Sequence, residues 1–167
     1  MNRFGKVPYE QFKKDMLKLF SITEESIQDC YQNIQLPRRA TVGSAGYDFF
    51  SPLPFTIEPK TSVTIPTGIR VWLDPRLVLL LYPRSGLGFK YRLQLANTVG
   101  VIDSDYVNSD NCGHILAKLT NDSYENKTIC LNEVDSFMQG IITPYFLTVD
   151  DSATEIRNGG FGSTDKR

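Results

Sequence analysis

Over the first 33 residues apolar side chains return at helical spacing. Phe12, Met16, Leu19 and Phe20 are separated by lysines and acids, which predicts an amphipathic helix with one apolar stripe. Ser21-Ile22-Thr23-Glu24 fits a capping box and predicts a second short helix with Ile27, Tyr31 and Ile34 on one face. Pro37 ends the helical region. From there the punctuation changes to Pro, Gly, Asn and Asp every several residues. Ser62-Val63-Thr64-Ile65 and Ile69-Arg70-Val71-Trp72-Leu73 alternate in polarity, and residues 77–82 form an apolar run suited to a strand buried on both faces. Residues 114–119 and 128–131 add further strands. Short strands in series predict an all-β antiparallel sandwich or barrel behind a helical N-terminal extension.

Composition narrows the function classes. The 167 residues suit one domain, 41% hydrophobic and 22% charged, and a net charge of -1 supplies no basic footprint for duplex nucleic acid. Any nucleotide bound is therefore small. Cys30, Cys112 and Cys130 are odd in number and lack CxxC spacing, and His114 is the only histidine. This pattern indicates neither a disulfide framework nor a zinc site. Residues 77–82 are too few to span a bilayer, and the N-terminus lacks the apolar core of a signal peptide. The expectation is a soluble cytoplasmic protein without a membrane partner.

Four segments carry candidate chemistry. Gly43-Ser44-Ala45-Gly46-Tyr47-Asp48 packs small residues ahead of an aromatic ring and an acid, suiting either close backbone approach or a tight turn. Pro83-Arg84-Ser85-Gly86-Leu87-Gly88 sets an arginine, a hydroxyl and free N–H groups directly after the buried strand. Phosphate oxygens fit such a loop, as does a plain capped turn, and the spacing is not that of a Walker loop. Asn97-Thr98-Val99-Gly100-Val101-Ile102-Asp103-Ser104-Asp105-Tyr106 predicts a hairpin lined by donors and acceptors, with Asp103 and Asp105 on one strand face. Its acids suit a general base, a cation or a turn. Arg157-Asn158-Gly159-Gly160-Phe161-Gly162-Ser163-Thr164 reads as a flexible glycine-rich arm, either passive or able to stack on a base and bind phosphate.

In this order the segments resemble the motifs of the trimeric dUTPase family from about Ile34 to Arg167. Gly-Ser-Ala-Gly-Tyr-Asp is similar to the first motif, Pro-Arg-Ser-Gly-Leu to the second, Gly-Val-Ile-Asp-Ser-Asp-Tyr to the third and Gly-Gly-Phe-Gly-Ser-Thr to the fifth. The fourth is reduced to Asp135, the apolar pair Phe137 and Met138, and Gln139. After Tyr106 the polar stretch 107–113 is longer than the usual turn.

The resemblance implies a jelly-roll subunit, residues 34–156, in a homotrimer whose active sites are shared between chains. Residues 157–167 would be an arm closing over the site, and residues 1–33 a helical extension outside the family core, dispensable for chemistry and free for a protein partner. The implied reaction is hydrolysis of dUTP to dUMP and pyrophosphate, with Asp103 as the base that activates the attacking water. Arg84, Ser85, Gly86 and Gln139 would hold the phosphate chain. Asn97, Gly100, Val101 and Ile102 would read the uracil edge, and Tyr106 would pack under the deoxyribose. Phe161 would cover the base while Arg157, Gly162, Ser163 and Thr164 bind the γ-phosphate. Magnesium would arrive on the triphosphate without a direct protein ligand, with Asp48 in support. Two alternatives remain at this stage: a nucleotide-binding regulatory module acting through a protein partner, and a dCTP deaminase, which would lack a glutamate between Glu58 and Glu125.

Overall fold

The computed structural model describes residues 1–155 and 157. Among the described residues, eleven strands and three α-helices follow one another, and every pair of these strands is antiparallel. The first large sheet runs β2 (Tyr47–Phe50), β11 (Ser136–Pro144), β6 (Leu77–Pro83), β8 (Gly100–Ile102). A second has three strands, β4 (Ser62–Pro66), β9 (Leu116–Asn121) and β7 (Leu93–Leu95). Two-stranded ladders join β1 (Arg3–Lys6) to β5 (Ile69–Trp72) and β3 (Phe55–Ile57) to β10 (Ile129–Leu131).

Alternation explains the layering. Phe49, Leu79, Leu81 and Ile102 of the first sheet and Ile65, Leu93, Leu95 and Leu119 of the second point into one apolar core. The strand at 77–82 is only partly the two-faced strand the sequence predicts. Leu79 and Leu81 are fully covered, whereas Leu80 and Tyr82, on the other face, are half-buried in the single chain. The strand expected at 114–119 begins later, at Leu116, and His114 and Ile115 form a buried link between it and the turn that ends at Gly113.

The N-terminal segment departs most from its expected form, since it is neither wholly helical nor appended. Its first residues form β1, which extends β5 in register from Arg3 opposite Trp72 to Lys6 opposite Ile69. Gly5 is required there: a Cβ would stand 2.7 Å from the Trp72 ring. That indole also lies beneath the guanidinium groups of Arg3 at 4.0 Å and Arg70 at 4.5 Å. The helices α1 (Tyr9–Leu19) and α2 (Glu24–Asn33) follow. α1 packs against α2 and β4, and Val7, Phe12, Met16 and Ile27 are completely buried in the common core. An apolar helical stripe needs a cover, and here the β-domain itself supplies it. α2 starts two residues later than a Ser21 cap would place it. Thr23 is the N-cap, its hydroxyl accepting from the Ser26 N–H at 3.3 Å.

Candidate active site

Strand order brings three of the segments together. β11 lies between β2 and β6 and sets Gln139 opposite Asp48 on one side and Tyr82 on the other. Gln139 therefore stands beside the end of β6, where its amide donates weakly to the Pro83 carbonyl at 3.4 Å. Gly46 makes this possible, because a Cβ there would meet the Gln139 side-chain oxygen at 2.5 Å. Arg84 leaves β6 as the N-cap of the short helix α3 (Ser85–Tyr91), and Ser85 and Gly86 are exposed in its first turn. The Arg84 guanidinium is oriented by two partners, the Asp48 carboxylate at 3.5 Å and the Ser136 hydroxyl. Ser136 was missed in the sequence because it lies in the reduced fourth segment. Its place beside Asp135 was the only signal available.

The other half of the chemistry lies at the opposite end of the same sheet. β8 pairs with β6 so that Gly100 faces Leu81 and Ile102 faces Leu79. Continuing that register, Asp103 comes level with Val78 near the start of β6, while Arg84 lies beyond its end. About six strand positions separate them, roughly 20 Å at ~3.3 Å per residue. Asn97 sits in the tight turn before β8, where Thr98 adopts a positive φ of 68°. Asn97, Gly100, Val101 and Ile102 line one shallow cleft with Leu81 and Lys118. β8 is an edge strand of its sheet, so backbone groups on its outer side have no strand partner among the described residues.

The expected strand face carrying Asp103 and Asp105 is not formed. β8 ends at Ile102, and the acids occupy the turn into a 3-10 helix, Tyr106–Asn108. Asp-Ser-Asp favours this through local hydrogen bonding. The two carboxylates still converge, because Arg157 bridges them: its Nε donates to Asp105 at 2.9 Å and its Nη2 to Asp103. The same guanidinium lies 5.9 Å from the Tyr106 ring centroid. Tyr106 is buried, and burial pushes its phenol above the ordinary range, against the opposing effects of Asn111 and Arg157. Residues 107–113 fold tightly. Ser109 donates to Asn111 at 2.7 Å, and the Asn111 amide donates to the Tyr106 hydroxyl at 2.9 Å. Phe161, Gly162, Ser163 and Thr164 lie outside the described residues.

A concavity of about 340 Å³ is lined by Asn2, Arg39, Ser44, Ala45 and Tyr47 among others. It touches only the first of the candidate segments, and none of the described residues lining it is acidic. The candidate residues of the other segments lie instead toward the two ends of β6. Among the described residues no group of three or more His, Cys, Asp and Glu side chains is placed to hold a metal, and no helix is long and apolar enough to cross a membrane.

The described residues thus form an antiparallel β-domain with an arginine, a hydroxyl and an exposed helix start beyond one end of a strand of its four-stranded sheet and acids beside an open strand edge toward the other. Comparison with known proteins makes this specific. A family model described as dUTPase matches residues 32–165, and the chain belongs to the dUTPase family. It is 41% identical over 140 residues to the deoxyuridine 5'-triphosphate nucleotidohydrolase of Paraburkholderia phymatum, covering 79% of this chain and 90% of that one. The crystal structure of a dUTPase from Streptococcus mutans is similar at 35% identity and a TM-score of 0.61, over 78% of this chain and 95% of that one. A mutant dUTPase from phage phi11 of S. aureus, described with a structural Mg(II) ion, shares the fold at 20% identity and a TM-score of 0.64. That likeness covers 93% of this chain and 97% of the phage protein.

Proposed function

We propose that the protein hydrolyses dUTP to dUMP and pyrophosphate by attack of water on the α-phosphorus, with Asp103 as general base. The observation that carries this reading is family membership, together with Asp48 and Gln139 on adjoining strands and Arg84 just past the end of the next one. In-line attack on phosphorus needs a positioned water and charge neutralisation at the nonbridging oxygens. Arg84, held by Asp48 and Ser136, presents its positive charge to the phosphate chain, and Ser85, Gly86 and Gln139 add donors. The outer edge of β8 with Asn97 reads the uracil, and the Tyr106 ring packs under the deoxyribose, where a 2′-hydroxyl would clash.

Magnesium fits as an ion carried by the triphosphate and water, with the Asp48 carboxylate already engaged by Arg84. When bound it would neutralise phosphate charge. Arg157, Phe161, Gly162, Ser163 and Thr164 serve the γ-phosphate and the base once the arm closes. For Arg157 this requires release from Asp103 and Asp105.

The separation of Asp103 from Arg84 supports a homotrimer, in which one chain's base faces another chain's phosphate loop. Phe146, Leu147 and Val149, all strongly exposed in the single chain, then gain cover. The experiment is pyrophosphate release from dUTP, UTP, dTTP and dCTP, with and without magnesium. Magnesium-dependent turnover confined to dUTP is expected. Binding of dUTP without turnover would leave a nucleotide-binding module instead, and ammonia release from dCTP would make it a deaminase.

A further inference from the structure

The chain's only histidine is fully buried and linked to both the N-terminal helix and the candidate sugar pocket. His114 Nε2 accepts the Gly68 backbone N–H at 2.8 Å, so that nitrogen carries no proton. The ring is therefore neutral, with its hydrogen on Nδ1, and donates it to the Asp15 carboxylate at 2.6 Å. Asp15 also receives the Gln11 amide at 2.8 Å. At the other side of the same residue, the His114 carbonyl accepts the Tyr106 hydroxyl at 3.0 Å and the Asn111 amide at 3.1 Å. A continuous set of hydrogen bonds thus runs from α1 through His114 to the phenol of Tyr106.

Packing alone asks for none of this. The Asp15 position on the buried face of α1 suits an apolar side chain beside Phe12 and Met16, and a buried acid is costly unless paired. The pair nevertheless fixes the rotation of one imidazole, and with it the carbonyl on which the Tyr106 hydroxyl rests. A ring that excludes a 2′-hydroxyl by contact must be held to within a fraction of an ångström.

We propose that Asp15 and His114 are positioning residues for sugar discrimination, holding Tyr106 at the height at which deoxyribose is admitted and ribose refused. The inference rests on the reading of Tyr106 given under Proposed function. It makes the N-terminal helix, outside the matched part of the family model, a component of substrate selection.

The test is the ratio of kcat/KM for dUTP to that for UTP in the full-length protein. Asp15→Ala is expected to lower the ratio by about tenfold to a hundredfold, carried by a lower KM for UTP rather than by kcat. Asp15→Asn, whose side-chain oxygen still accepts from Nδ1, is expected to restore most of it. Tyr106→Phe cuts the link at its other end without altering the core and is expected to lower the ratio as well. It decides the matter if Asp15→Ala fails to fold. A folded Asp15→Ala with the wild-type ratio, or an unchanged ratio in Tyr106→Phe, would overturn the proposal. Tyr106→Ala separates the two levels: an unchanged ratio there removes both the sugar reading and this inference. A changed ratio in Tyr106→Ala alone removes only the inference.

Discussion

At the scale of the residue, Asp103 and Asp15 show two uses of a carboxylate. Asp103 is half-exposed at a turn and held by Arg157, so its basic oxygens become free only when that guanidinium leaves. Asp103→Asn keeps the shape and removes the base. Turnover on dUTP is expected to fall about a hundredfold or more, while titration with a non-hydrolysable dUTP analogue shows nearly unchanged affinity. Asp15 is buried, and burial would raise its pKa, but hydrogen bonds from His114 and Gln11 outweigh that and hold it below the ordinary 3.8. A depressed folded value means that its stabilisation is fully present above the ordinary value and is lost as pH falls through the lower one. The difference in thermal midpoint between the protein and Asp15→Asn should therefore stay constant down to about pH 5 and shrink at more acid pH. A difference that widens on acidification would contradict the assignment.

At the scale of the element, pattern made β4, β5, β6, β9 and β10 legible, while β2, β3, β7 and β11 were not placed. β4, β5 and β10 fall within a residue of where alternation placed them, because each has one face in the core and one toward solvent. β1 was not legible: Arg-Phe-Gly-Lys is too short and too charged to register as a strand, and only its neighbour β5 makes it one. In the candidate site, the residue types and their order singled out Asp103, Arg84 and Gln139 as candidates. The Asp15–His114 contact bridges 99 positions of sequence and carries no local pattern. The same blindness made the first 33 residues look detachable. They contribute Val7, Phe12, Met16 and Ile27 to the core, each worth about 1.5–3 kcal/mol when buried, against a usual total of about 5–15 kcal/mol. Deleting residues 1–33 is expected to leave a chain without a cooperative thermal transition, and turnover should disappear with it. A folded, active truncation would show that the segment rests on a core complete without it.

At the scale of the whole molecule, the length of β6 is decisive. It keeps the candidate base and the candidate phosphate loop of one chain apart, and under the proposed reaction a site would draw them from different copies. Mixing tests this directly. Asp103→Asn and Arg84→Ala should each be nearly inactive alone, whereas oligomers reassembled from both should regain turnover, since some sites combine an intact base from one chain with an intact arginine from another. Sedimentation of the same mixture would confirm that the chains have exchanged. If base and arginine of one chain served the same site, no mixture would recover activity.

The stacking of Arg3 and Arg70 on Trp72 has a practical consequence for such work. Trp72 is the only tryptophan, and its indole is covered by a strand from the far N-terminus. Its fluorescence is therefore a native optical signal for seating of that strand, requiring no label. An emission change that precedes the loss of far-ultraviolet circular dichroism on heating would time the departure of β1 before the collapse of the sheets. Coincident changes would mean that the first residues of the chain and its catalytic sheet melt as one cooperative unit.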